Sequence, residues 1–595
     1  MDSRKCSRGM FAWLLVIFAG IGTCSASCYF SIELQGSFVT QGTVANHEIQ
    51  YSQVNITEDS IPIWGVCQKR IENNVILMIS SEETTCFRCF NLKLVSRNVL
   101  RARTTDSDYI SKCYANEEKA IASCPTEEIL KDSSLFTEII LYKHYDAGGQ
   151  EIRREYCPIN GRYKLNYNVD DGQEDFMECS TMESELDNCP SGSAMNLRFR
   201  KCSFEDHEIT FECLGHWEDE NNQKYLALMN SSPAKDKLGP QYRCAIYSED
   251  PVTGNIVISF SKDSTCSAIN KSINDNKAEV PHTEMLTLYP AVNVHWPHDQ
   301  FCTFPEWLQG HFEHITVKND TLIFRDQTSF KTYTMKCIAN ISDYILVFSR
   351  TQCDEEIYQC IQIKDRSPNI VELQIGTELS RNYSEAICSS EHFNSSQWLT
   401  QGRLDQKYKY TPCPVSGEFR GVIPDATTLC AKLSSECTSE DIMYHEVSAC
   451  EYGEVYEERK YQCLGQWTEN DVVYAYTKRL DVGTYECFVG AMTPENKIFL
   501  KEAGENCQRN VNPYRFGMEI HQTSKCKRTP KPITTSTTTT FRPTTVVSTT
   551  SPSAKFDDSN AIHPVTTAPE SSLSSEVSPV AFPLLLATSL FCLTR

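Results

Sequence analysis

The sequence predicts an all-β protein: four tandem, disulfide-stabilised antiparallel β modules in an A-B-A-B internal duplication, followed by a disordered Ser/Thr-rich stalk. Three observations predict it. The chain holds 29 cysteines in 595 residues, far too many for a reducing compartment without metal sites. Short alternations of apolar and polar residues, bounded by turn residues, recur along it, and no long stretch has helical periodicity. It also repeats its own motifs at fixed offsets.

The first repeated unit, module A, is read from its cysteines. Cys28-x-Phe30-x-x-x-Leu34-Gln35-Gly36-x-Phe38 recurs as Cys302-x-Phe304-x-x-x-Leu308-Gln309-Gly310-x-Phe312. Cys67, Cys89 and Cys113 are followed in step by Cys337, Cys360 and Cys388, at offsets of 270 to 275. Module B begins with Cys157-Pro158-x-x-Gly161-x-Tyr163 and again with Cys413-Pro414-x-x-Gly417-x-Phe419. Its second signature is Cys213-Leu214-Gly215-x-Trp217, repeated as Cys463-Leu464-Gly465-x-Trp467. Tyr242-x-Cys244 and Tyr485-x-Cys487 complete the match, and each B copy has seven cysteines. The spans drawn are 27–130 (A1), 131–290 (B1), 291–400 (A2) and 401–526 (B2).

The strands follow from the pattern. Val371 to Ile375 alternates as a half-buried strand should. Asp343 to Phe348 and Ile357 to Ile363 are further strands, with Asp365-Arg366-Ser367-Pro368 as a turn. In B2, Leu464 to Thr468 leads through Asn470-Asp471 to Val472 to Tyr476, then to Thr484 to Val489 and Lys497 to Leu500, a meander of four strands. Gly-x-aromatic occurs six times, at Phe38, Tyr163, Trp217, Phe312, Phe419 and Trp467. Glycine permits a tight backbone approach and the ring supplies a large buried group. The rings fit the core of a β-sandwich. Lipocalin-like barrels also open on Gly-x-Trp, so a small barrel stays open beside it. Trp217 and Trp467 are expected to be core residues.

The Leu-Gln-Gly-x-Phe and Cys-Leu-Gly-x-Trp modules resemble a family of uncharacterised invertebrate extracellular or cell-surface proteins. These carry a quartet of adjacent cysteine-rich domains of unknown function. The resemblance covers about Cys28 to Cys526 and implies no activity and no catalytic residue.

The two ends address the chain. Arg4, Lys5 and Arg8 precede the apolar run Phe11 to Ile21 and the small residues Cys24-Ser25-Ala26, a secretory signal over residues 1–26. Residues 527–559 form a Ser/Thr/Pro-rich stalk, in which 13 of the 18 residues from Thr534 to Ser551 are Ser or Thr. Residues 560–595 end in the apolar tail Val580 to Leu593 and read as a GPI-attachment propeptide, with Ser559 as the attachment residue. The expected location is the extracellular face of the plasma membrane, held by a lipid anchor. Seven Asn-x-Ser/Thr sequons, at Asn55, Asn230, Asn270, Asn319, Asn340, Asn382 and Asn394, predict a glycoprotein.

Charge and cysteine parity add two constraints. The formal charge of −22 excludes a nucleic-acid backbone as main partner. Because the acids are scattered, it reads as a solvated surface. Cys6, Cys24 and Cys592 leave with the end segments, and the remaining 26 cysteines are even in number, as a disulfide framework needs. The first A-B pair holds an odd number, 13, so it cannot close on itself. Cys124 lacks an obvious counterpart and Cys526 lies outside the repeats, which suggests a Cys124–Cys526 bridge. The rival is a free or intermolecular pair.

Chemistry is sparse. There is no His-Glu-x-x-His, no Gly-x-Ser-x-Gly, no P-loop and no EF-hand loop. His295-Trp296-Pro297-His298-Asp299 reads as a linker with incidental histidines, and Trp217-Glu218-Asp219-Glu220 as an acidic hairpin turn. No catalytic, cofactor-binding or metal residue is expected. The favoured expectation is a non-enzymatic receptor, co-receptor or adhesion-type protein with an unknown extracellular protein or glycan ligand. A membrane-tethered lipocalin-like carrier of a small apolar ligand and an ectoenzyme are the alternatives.

Overall fold

A computed structural model describes residues 28–526, apart from 46–47, 81–83, 106–111, 133, 170–176, 220, 233–239, 268, 270–283, 292–295, 297–301, 406–410, 425 and 494–496. The signal, the stalk, Ser559, the C-terminal tail, Asn270, His295 and His298 lie outside the described residues.

The described chain is all-β, and its four modules are four versions of one antiparallel barrel. B2 is a closed barrel of eight strands, from Glu418–Ile423 to Met518–Ser524. B1 closes by pairing Arg162–Val169 with Glu284–Pro290, and a ninth short strand, Met177–Cys179, joins at the rim. A1 is an eight-stranded sheet in which Gly36–Ala45 pairs with the last strand, Thr137–Tyr145. A2 is an eight-stranded sheet whose ends meet through a bridge between Phe312 and Arg403.

One plan runs through all four. The first cysteine of each module is joined to a long strand: Cys28–Cys67, Cys157–Cys213, Cys302–Cys337 and Cys413–Cys463. Directly after that second cysteine the register slips by one residue, at Cys67/Lys69, Cys213/Gly215, Cys337/Ala339 and Cys463/Gly465. Two strands on, a third cysteine is tied to a following segment: Cys89–Cys124, Cys244–Cys266, Cys360–Cys388 and Cys487–Cys507. The glycine that opens each first strand has a positive φ of 103° to 140° at Gly36, Gly161, Gly310 and Gly417. At Gly417 a Cβ would lie 2.2 Å from the carbonyl oxygen of Ser524 on the closing strand. Only glycine lets the first and last strands approach there.

The barrels are filled. Phe38, Val54 and Phe90 pack inside A1, and Leu165, Phe199 and Phe211 inside B1. Phe312, Leu322 and Val371 fill A2, and Phe419, Leu433 and Tyr461 fill B2. The expected turn of the B2 hairpin is present, with Asn470 and Asp471 both at positive φ (52° and 63°) between its strands. This is the conformation that Asn and Asp tolerate best.

Three sequence expectations are corrected. The strand Thr137–Tyr145, placed in B1 by the boundary at residue 130, hydrogen-bonds within A1. Cys124 pairs with Cys89, not Cys526. Its segment, led by the helix Glu117–Ala122, lies on the outer face of A1 beside Cys89. Cys124 is thus the counterpart of Cys388, and the extra pair in A1 is Cys86–Cys113. Cys526 pairs with Cys437 inside B2. The bond that odd parity demands between the halves is Cys189–Cys353, from B1 to A2.

Peptide mapping without reduction should recover Cys89–Cys124, Cys437–Cys526 and Cys189–Cys353, and a Cys124–Cys526 peptide would overturn this connectivity. Replacing both Cys189 and Cys353 by Ser should lower thermal stability without misfolding single barrels. The bond spans 164 residues. Chain entropy sets its contribution at no more than about 5 kcal/mol.

Candidate functional site at the module seams

The residues that sequence reading singled out gather where barrels meet. In a plain strand, Cys213, Gly215 and Trp217 would share one face. The bulge after Cys213 changes that phase. Ile209, Phe211 and Cys213 face the B1 interior, whereas Leu214 and Trp217 face outward, with Val99, Ile140 and Tyr142 of A1. In B2, Tyr461 and Cys463 face inward, while Leu464 and Trp467 face outward with Ile370 of A2. Trp217 and Trp467 are 8% and 9% exposed, so both are buried. They are buried in seams between modules, however, and not in a barrel core.

The glycine of the motif has no room for a side chain. A Cβ on Gly215 would lie 2.3 Å from Ser96 Oγ, and one on Gly465 2.2 Å from Ser367 Oγ. The partner on module A is a hairpin turn, Ser96-Arg97-Asn98-Val99 in A1 and Ser367-Pro368-Asn369-Ile370 in A2. Asn369 Nδ2 donates to the Leu464 carbonyl at 3.3 Å, and Asn98 Nδ2 donates to the Arg153 carbonyl at 2.8 Å. The sequence reading set the A2 turn at Asp365-Arg366-Ser367-Pro368, whereas Asp365 to Ser367 still belong to the strand, and it missed that Ser-x-Asn-Val/Ile repeats. Its offset of 271 lies inside the 270–275 window of the A-module cysteines.

Each seam tryptophan is held by stacking. Trp217 lies on Tyr225 with centroids 5.3 Å apart and planes at 2°. Trp467 lies on Tyr474 at 5.4 Å and 14°. Among the described residues, neither indole nitrogen finds a hydrogen-bond partner. Around Trp467 runs an ionic lattice. Arg366 bonds Glu372 at 2.5 Å and Glu469 at 3.0 Å, and Arg509 bonds the same two at 2.7 and 2.9 Å. The Glu372 side chain is fully buried, and Thr400 Oγ1 also donates to it, at 3.2 Å. Removing one partner from such a lattice leaves a buried charge uncompensated, at a cost of about 3–5 kcal/mol.

Beside the A2·B2 seam sits an acid in an unusual state. Glu313 Oε1 accepts from the Gly402 N–H at 2.6 Å and from Tyr476 Oη at 2.8 Å. Burial, reinforced by Glu505, pushes its carboxyl up to about 8 against those two donors and Lys478. The neighbouring His314 is pushed down to about 4, by burial first and then by Arg325, Arg97 and Arg153. Its backbone N–H donates to Gln401 Oε1 at 2.8 Å, and its Nδ1 lies 3.1 Å from Gln327 Nε2. Nothing in the sequence marked this pair.

The remaining sequence candidates separate cleanly. Asn55, Asn319, Asn340, Asn382 and Asn394 are exposed. Asn230 is 2% exposed, and its side chain accepts from the Ser232 N–H at 3.0 Å, so the folded barrel leaves no outlet for a glycan there. Asp219 Oδ1 accepts from the N–H groups of Asn221 and Gln223, both at 2.9 Å, which makes it a hairpin-turn acid. Trp296 packs against Phe348 at 5.9 Å, under Lys336 and Arg350. Among the described residues, no group of three or more His, Cys, Asp or Glu is placed to hold a metal. Clefts of about 600 Å³ beside Asn55 and about 650 Å³ between A1 and B2 open on the surface.

Comparison with protein families falls on these four barrels. Residues 26–129 match Domain of unknown function (DUF7044), 153–281 DUF7042, 298–400 DUF7043 and 413–513 DUF7045. The chain is a quartet of adjacent domains of unknown function. No curated protein matches it. In each barrel the closing strand begins at or just beyond the edge of the matched span: Thr137–Tyr145, Glu284–Pro290, Leu399–Gly402 and Met518–Ser524.

Two predictions concern the seams. Gly465→Ala should destabilise the folded chain by about 1–3 kcal/mol through overpacking, and Trp467→Ala by about 3–5 kcal/mol. Thermal denaturation of the secreted chain measures both, and an unchanged Gly465→Ala would show that the seam yields. Glu313 carries a folded-state pKa above its unfolded one, so its contribution is intact below about 4.5 and is lost as pH rises through about 8. Glu313→Gln keeps an acceptor at Oε1. The variant should therefore gain stability over the parent progressively from pH 4.5 to 8. His314, lowered to about 4, acts in the opposite sense as pH falls from 6.5 and cancels in the difference between the two proteins. Parallel melting curves across that range would remove Glu313 from the account.

Proposed function

We propose that the chain is a non-enzymatic cell-surface glycoprotein, acting as a receptor, co-receptor or adhesion-type binding protein. It would be an extracellular member of the invertebrate family its modules resemble. The observation that carries this reading is that four side-chain-filled barrels, braced by 13 disulfides, present a large surface with clefts between and beside modules. Disulfide density of this kind belongs to oxidising compartments. A lipocalin-like carrier would need a hollow barrel, and these interiors are occupied by Phe, Leu, Ile and Val. The exposed sequons Asn55, Asn319, Asn340, Asn382 and Asn394 suit a glycosylated surface. B2, nearest the stalk, has no sequon, which leaves that module free for protein contact.

Anchoring by a lipid at Ser559 is part of the proposal. Phosphatidylinositol-specific phospholipase C should release the protein from expressing cells. Retention on the membrane, while a known GPI-anchored protein is released alongside, would reject the anchor. Screening the released chain against extracellular proteins and glycans then tests the binding role itself.

A further inference from the structure

The four barrels contact one another in a closed circuit, and its seams differ in kind. A1·B1 and A2·B2 are apolar, built on Leu214 and Trp217 and on Leu464 and Trp467. B1·A2 is covalent through Cys189–Cys353, with the Gly192 N–H donating to the Phe330 carbonyl at 2.7 Å. A1·B2 is polar. Arg479 of B2, 1% exposed, pairs with Glu33 of A1, and Tyr29 Oη donates to Glu454 Oε1 at 3.3 Å. Arg97 reaches Glu505 at 3.6 Å, and the Tyr29 and Tyr456 rings lie 5.2 Å apart. The cleft of about 650 Å³ runs through this seam. Among the described residues, no apolar cluster joins A1 to B2.

We infer that the circuit is a clasp that opens at the A1·B2 seam while the other three seams stay shut. Opening either apolar seam would expose a tryptophan and a leucine to water. At A2·B2 it would also part Glu372 from Arg509, both buried. Opening A1·B2 strands neither partner. Arg479 keeps Asp481 at 2.7 Å and Glu486 at 3.3 Å within its own barrel. Glu33 Oε2, buried without a hydrogen-bond partner when the clasp is shut, gains water when it opens. Cys189–Cys353 keeps the two A·B pairs attached on the far side. The inference stands whatever the protein binds. For a binding protein, it makes the A1·B2 cleft walls the surface that changes with state.

Hydrogen exchange on the full secreted chain tests it, at about 50 mM and about 500 mM NaCl, a change that screens the exposed Arg97–Glu505 pair of this seam. Peptides covering 29–33, 454–456 and 482–486 should exchange about threefold faster or more at high salt, and likewise in Glu33→Ala at low salt. Peptides covering 213–217 and 463–467 should not change, and the radius of gyration from X-ray scattering should rise. If Glu33→Ala is not secreted, Glu505→Gln serves the same comparison. Equal protection in all conditions, or loosening of all seams together, overturns the clasp.

Discussion

A single inserted residue, repeated in every barrel, governs how this molecule is assembled. Strand alternation sends every second side chain into the barrel. The bulge behind each stapled cysteine resets that alternation, so the residues beyond it face the outside. In A1 the matching positions are Gln68, Lys69 and Ile71, the last 41% exposed, and in A2 they are Ile338, Ala339 and Ile341, which pack against that module's own Ile387 and Cys388. In the B modules they are Gly and Trp, preceded by an outward Leu, and they become the socket for the hairpin of the A module that comes before. The disulfide beside the bulge fixes its position, since Cys213 and Cys463 are tied to the segment that leads into the first strand of their own barrels. Barrel closure and barrel docking therefore share one strand. A change at Gly465 acts on the seam without touching the apolar interior.

Much of this was legible in the sequence. The all-β class, the four-module count and the order A-B-A-B followed from cysteine steps and alternation, because both are local or periodic signals. The bulge was not legible. The motif Cys-Leu-Gly-x-Trp looks the same whether Trp continues the inward face or leaves it, and only the pairing of Cys463 with Thr477 and of Gly465 with Tyr476 tells them apart. The same limit explains the misplaced strand Thr137–Tyr145. A closing strand is defined by its partner, Gly36–Ala45, about a hundred residues earlier, and no local pattern records that pairing. Disulfide parity gave the existence of a cross-link between the halves but not its members. Cys189 and Cys353 stand in loops whose proximity is purely tertiary.

The Glu313–His314 pair was invisible for a related reason. Each residue is ordinary in sequence, and their opposed shifts arise from enclosure against Gln401 and Gly402 on the closing strand of A2 and against Tyr476 across the A2·B2 seam. A protonated Glu can sit there because it replaces a charge with a hydrogen-bonding group, and the lattice of Arg366, Arg509, Glu372 and Glu469 nearby keeps its charges in balanced pairs. The seam thus tolerates polarity in two ways, by neutralising one acid and by pairing the others.

The duplication is not symmetric, and the asymmetry follows from one cysteine. Cys189 and Cys437 are the third cysteines of their B modules. The first reaches forward to A2, whereas the second reaches Cys526 at the end of its own barrel. Had Cys437 also bonded to an A module, both seams joining the halves would be covalent and the circuit would be locked. Because it does not, one such seam is a bond and the other a set of ion pairs and a tyrosine contact. The exposed Arg97–Glu505 pair contributes little, about 0–1 kcal/mol, and weakens with salt. The choice of Cys526 as partner for Cys437 also ties down the strand Met518–Ser524, which closes B2 just before the chain leaves the barrel. The same cysteine position therefore serves assembly in the first half and termination in the second, and that difference leaves A1·B2, among the described residues, as the seam with neither a covalent bond nor an apolar cluster.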